Sequence, residues 1–127
     1  MIRYIASVIA SLLVWIFVAT LVHRALGAAW PAYADATPSM AFSLPMLIAR
    51  LLMGAVATLA AGATVRAAGR RTWLPWITGC VLLALFVPEH VHLWQRFPVW
   101  YHLTFLGTLI PLALTGGWFV RTPPASA

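Results

Sequence analysis

Apolar positions fall in four long blocks, residues 4–22, 44–65, 73–95 and 97–120, separated by short segments that hold most of the charge. A helix needs roughly 20 apolar residues to cross about 30 Å of hydrocarbon, and each block meets that length. Barrel strands would read as ~10-residue stretches of alternating polarity, and no such alternation is present. The pattern predicts an all-α integral membrane four-helix bundle. Its one domain covers residues 1–127, with spans of about 4–23, 44–65, 73–95 and 98–120. The first block is too long for a 7–15-residue signal-peptide core, so it reads as a retained span.

Helix-terminus chemistry sits at the breaks. Ser43 is placed to cap the second span and Thr72 the third, with Pro45 and Pro75 in the first turns, while Pro98 opens the fourth. First-turn N–H groups have no intrahelical partner, so proline is tolerated there. Pro88 and Pro111 lie inside spans and are expected to kink them without ending them. The connection 24–43, apolar for a loop, is expected along the headgroup layer. The tail 122–127 is expected to fray.

Composition agrees: 63% of residues are hydrophobic and only 8% charged. A soluble domain carries about 25% charged residues, so a water-facing surface is excluded, and disorder is excluded by the abundance of apolar surface. The net charge of +6 comes from eight arginines against Asp35 and Glu89, with no lysine. Scattered singly beside apolar runs, these arginines set membrane orientation and do not form a nucleic-acid surface. Arg3, Arg66, Arg70, Arg71 and Arg121 fall on one side, which the positive-inside rule makes cytoplasmic, so both termini are inside. Trp73, Trp76 and Trp118 then mark the inner interface, and Trp30, Trp94 and Trp100 the outer one. Trp15 lies mid-span and is expected to pack against another helix. Arginine-only basic usage and high alanine content associate with bacteria, hence a multi-pass protein of the bacterial inner (plasma) membrane.

Every histidine and both acids fall in the outer half. At 1.5 Å per residue, Arg50 and Glu89 lie at a common depth of about 9 Å, with His102 and His92 slightly shallower. Intramembrane ionisable groups face the bundle and pair, so Arg50 and Glu89 are expected to form an ion pair. Glu89, His92 and Arg96 recur at i, i+3 and i+7 and share a helix face. His90 points about 200° away from His92, which makes His92 the inward histidine. The expected polar layer is thus Arg50, Glu89, His92, His102 and Arg96.

His23, His90, His92 and His102 are the candidate ligands. Zinc bound from several helices, or b-type haem on an axial histidine pair, is chemically conceivable, but no ligand-spacing motif supports either and neither is favoured. Cys80 stands alone, which excludes a two-cysteine relay within the chain. Gly54, Thr58 and Gly62 form a small-residue stripe, read as packing inside the bundle in preference to a homodimer face. The favoured function is a non-enzymatic accessory or scaffold subunit with a polar layer at its outer face, partnered by lipid and by another membrane protein or a second copy. One alternative is a transporter or channel component with an ion or proton path through Glu89, Arg50 and His102. The other is a metal- or haem-binding redox protein using His23, His92 and His102.

Overall fold

The computed structural model describes residues 1–121, so the tail expected to fray lies outside the described residues. Five helices follow one another: α1 (Ile2–Ala29), α2 (Pro31–Ala36), α3 (Leu44–Gly69), α4 (Leu74–His92) and α5 (Val99–Trp118). No strand occurs among the described residues. All but the one-and-a-half-turn α2 are long and apolar enough to cross a membrane. They run up and down, so one end of the bundle, called the terminal end, holds the start of α1, the end of α5 and the α3–α4 turn. The other, the histidine end, holds α2 and the α4–α5 turn. Helix α3 packs most extensively, against α1 on one side and α5 on the other, while α1 and α4 touch only thinly.

Helix boundaries follow local chemistry. Nothing interrupts α1 until Pro31, whose ring drives the preceding Trp30 out of helical geometry (φ −132°, ψ 89°). The helix therefore carries His23 and Arg24 on its last turns, correcting the expectation that it ends at 23. Within the connection 24–43, α2 folds back and buries Tyr33 completely. Helix α3 runs to Gly69 and stops where Arg70 takes the left-handed conformation (φ 57°, ψ 30°). Trp73, not Thr72, is the N-cap residue of α4, and it makes no capping hydrogen bond. Helices α4 and α5 run through Pro88 and Pro111 without a break.

The exterior is apolar, unlike that of a water-soluble bundle, and buried polar side chains sit among apolar ones such as Leu74, Leu82 and Leu109. Ile9, Leu13, Phe17, Leu52, Leu85 and Leu103 are each more than half exposed, whereas Ser7, Ser11, Thr58, Thr78, His90 and His102 are buried. The buried hydroxyls bind helices together: Ser11 and Thr78 lie 3.2 Å apart, and Trp15 Nε1 donates to Thr58 Oγ1 at 3.0 Å. Interhelical bonds of this kind contribute about 0.6 kcal/mol each in lipid.

The terminal half is closed backbone against backbone. A methyl group on Gly62 would collide with the Ala113 carbonyl of α5, and one on Gly116 with the Leu59 carbonyl of α3. On α4, one on Gly79 would lie 2.9 Å from the Ile110 Cα. Arginines tie off this end. Arg3 donates through Nε and Nη2 to the Ala68 carbonyl near the C-terminus of α3, both at 3.2 Å, and Arg71 Nε donates to Tyr4 Oη at 3.0 Å. A cation at a helix C-terminus satisfies carbonyls that have no intrahelical partner.

Candidate functional site

Two polar groups meet at the histidine end. The first is centred on Tyr33. Arg50 Nη1 donates to the Tyr33 hydroxyl at 3.1 Å, and that hydroxyl lies 3.0 Å from His23 Nδ1. A guanidinium only donates, so the Tyr33 oxygen accepts from Arg50, and its own O–H remains free to donate to an unprotonated His23 Nδ1. The Arg50 guanidinium also lies 4.6 Å from the centroid of the Phe42 ring, within cation–π range. Its Nε is buried without a hydrogen-bond partner. A stranded buried donor costs about 1–3 kcal/mol.

The second group is a histidine pair. Nδ1 of His90 on α4 and Nδ1 of His102 on α5 lie 2.7 Å apart, and His102 Nε2 lies 3.3 Å from the Trp94 carbonyl oxygen. A carbonyl only accepts, so His102 carries its proton on Nε2 and, when neutral, presents a lone pair at Nδ1. His90 then donates from Nδ1, and its Nε2 is the unprotonated nitrogen. The tautomers are assigned from this network. His90 Nε2 has no hydrogen-bond partner among the described residues. Aromatic rings fix the pair: Trp94 stacks on His102 at 4.7 Å, and Phe105 on His90 at 4.7 Å.

Between the two groups lies a cavity of about 320 Å³, lined by Arg50, Glu89 and His90 and walled by Trp15, Phe86, Tyr101 and Phe105 among others. A depression of about 160 Å³ at the terminal end, lined by Arg66, Thr72 and Trp118, shares no lining residue with it.

The residues expected from the sequence are therefore distributed differently in the fold. Arg50 and Glu89 line one cavity but form no hydrogen-bonded pair. Tyr33 takes the Arg50 guanidinium, and Glu89 sits on an exposed position. His90 is the inward histidine and His92 is exposed, because the packed face of α4 is set by Thr78, Leu82, Phe86 and His90 at four-residue steps. Arg96 does not share that helix face. Helix α4 ends at His92, and Arg96 turns away to reach the Ser39 carbonyl at 3.4 Å. His23, His92 and His102 are not brought together, and no group of three His, Cys, Asp or Glu side chains among the described residues is placed to hold a metal ion. The two facing histidines bond directly to each other, leaving no slot for a haem between them. Gly54, Thr58 and Gly62 lie buried within the bundle, against Phe105, Trp15 and Ala113 respectively. Trp15 packs on Phe86 of α4 at 4.7 Å. Tyr33 is not among the residues the sequence singles out. Its only signal there is a lone large ring among small residues right after a Trp-Pro break.

Fold and site together define a class, an all-helical protein with four helices long and apolar enough to cross a membrane and, in one half, an aromatic-walled cavity that carries a few polar groups. Comparison with known protein families, curated proteins and solved structures finds no match.

Proposed function

We propose that this chain is a non-enzymatic accessory protein of the bacterial inner membrane, a non-conducting bundle whose polar layer lies in its outer half. Both termini are cytoplasmic in this reading, because the arginines of the terminal end gather where the positive-inside rule puts them. The apolar outward faces of α1, α3, α4 and α5 fit lipid as the immediate surroundings, and a second membrane protein or a second copy fits as the partner. The same faces offer no basic stripe for nucleic acid.

The asymmetry between the two halves carries this reading. Every histidine and both acids lie at the histidine end, and the terminal half is filled by helix backbones in direct contact at Gly62 and Gly116. An ion entering beside Glu89 meets no acidic or histidine side chain further in. Beyond Thr58 the buried polar side chains among the described residues are Ser11 and Thr78, bonded to each other, and Ser7, bonded to the Arg3 carbonyl. Proteoliposomes loaded with a pH-sensitive dye test the point. The expected result is proton and potassium flux equal to that of empty vesicles, with the protein retained in complexes after mild detergent extraction. Flux that Glu89→Gln abolishes would overturn the accessory reading in favour of an ion or proton path. A C-terminal reporter active only in the periplasm would overturn the orientation.

A further inference from the structure

The cavity itself calls for an occupant. At about 320 Å³ it would take on the order of ten waters, at ~30 Å³ each. A buried water needs two to four polar partners, and this wall is mainly Trp15, Met53, Phe86 and Phe105. The few polar groups are complementary. The Arg50 guanidinium, engaged only through Nη1, can only donate. His90, with its proton on Nδ1, can only accept at Nε2. Glu89 on the same cavity disfavours an anion, and Arg50 disfavours a cation. Trp15 of α1 and Phe86 of α4, whose ring centroids lie 4.7 Å apart across the thinly packed α1–α4 seam, both line the cavity, so these two rings stand between it and the outer face of the bundle.

We propose that this cavity binds a neutral, lipid-soluble ring compound bearing a hydroxyl, the chemistry of a quinol head group. The hydroxyl donates to His90 Nε2, a second oxygen accepts from the Arg50 guanidinium, and the ring packs on Phe86 and Phe105. The Nδ1–Nδ1 bond to His102, itself anchored on the Trp94 carbonyl, fixes which nitrogen of His90 faces the ligand as acceptor. His102 is thus a positioning residue. The proposal concerns binding alone, and it rests on the reading that α1 and α4 face lipid.

The test uses the full chain in phosphatidylcholine nanodiscs with a decyl-substituted benzoquinol held reduced. Ligand retained after size exclusion is compared with empty nanodiscs. About one quinol per chain is expected above the empty-disc background. The oxidised quinone, which lacks the O–H donor, is expected to bind about tenfold more weakly, the scale of one hydrogen bond. His90→Phe is expected to weaken the quinol by a similar factor, and Met53→Trp, which fills the cavity and leaves every polar group, to abolish retention. Retention no greater than in empty discs, or equal retention of quinol and quinone by the unmodified protein, overturns the proposal without requiring any variant to fold. Equally strong retention of hydroquinone, which has no tail, overturns the lipid-phase origin. Failure here leaves the accessory reading intact, and ion flux in proteoliposomes sinks that reading while leaving this site standing.

Discussion

Replacing Gly62 with alanine forces α3 and α5 apart at their closest crossing. The added methyl would overlap the Ala113 carbonyl oxygen and lie 2.8 Å from its carbon and 2.9 Å from its Cα. Carbon atoms rest at about 3.5–4.0 Å, so the helices must separate by on the order of 1 Å. Every obstructing atom is backbone, and no rotamer change relieves the overlap. Overpacking of a filled interior costs about 1–3 kcal/mol. Here the reciprocal contact of Gly116 with Leu59 is lost in the same movement. Alanine returns about 0.5–1 kcal/mol of helix propensity, leaving a net loss of about 1–2 kcal/mol. Gly107→Ala supplies the control, because its methyl would project from the exposed side of α5 with nothing within 4 Å. That variant keeps the propensity gain alone. The assay is unfolding in mixed micelles against the mole fraction of dodecyl sulfate, followed by far-UV circular dichroism. Gly62→Ala is expected to lower the midpoint and Gly107→Ala to raise it slightly. A Gly62→Ala midpoint equal to or above that of the unmodified protein would refute the claim that the terminal half is sealed by backbone contact.

Two further predictions use the same titration. Tyr33→Phe removes the acceptor of Arg50 Nη1 and the partner of His23, and is expected to cost about 1.5–3 kcal/mol, the range for hydrogen bonds to charged groups. Glu89→Ala, at an exposed position, is expected to stay within about 0.5 kcal/mol, and a larger loss than that of Tyr33→Phe would restore the Arg50–Glu89 pair. His102→Leu strands both His90 Nδ1 and the Trp94 carbonyl and is expected to cost about 1–3 kcal/mol, whereas His92→Leu on the exposed face should change the midpoint little; equal effects would disprove the histidine pair.

The four long helices are legible in the sequence because membrane-length apolar blocks need no tertiary information to be recognised. Their ends are less so. Composition marks 24–43 as a connection, yet helix α1 persists through Ala29 because His23, Arg24 and Gly27 do not break a helix and only Pro31 does. The inward histidine is hidden for a related reason. Pairing Glu89 with Arg50 by depth fixes the rotation of α4 from a single charge, while the run Thr78, Leu82, Phe86, His90 carries the true phase. A single ionisable group is weak evidence for helix phase, since one long neighbour such as Tyr33 can satisfy its partner from another element. Tyr33 itself cannot be foreseen, because the fold-back of α2 is a tertiary event with no periodic signature in six residues.

The two halves of the bundle differ for a reason that can be read residue by residue. Along α3 the buried positions are Ala57, Thr58, Ala61, Gly62 and Val65 toward the terminal end, but Met46 and Leu47 toward the histidine end, where the half-buried Arg50 joins them and Gly54 receives the Phe105 ring. Along α5 the matching change is from Ala113, Gly116 and Gly117 to Tyr101, His102 and Phe105. Small residues let helix backbones touch, and large rings hold them apart. Rings of fixed shape cannot interdigitate like methyl groups, so where Phe86, Tyr101 and Phe105 hold the helices apart, space remains between them. The cavity is therefore a consequence of the side-chain size gradient along α3 and α5, and the polar groups lie where that gradient leaves room for them. Reducing the gradient should close it. Phe105→Leu removes a wall residue and lets α5 approach Gly54, whose methyl position already lies 2.7 Å from the Phe105 ring. The expected outcome is a smaller cavity in a crystal or cryo-electron microscopy structure of the variant, and an enlarged cavity there would show that the rings fill the space and do not create it.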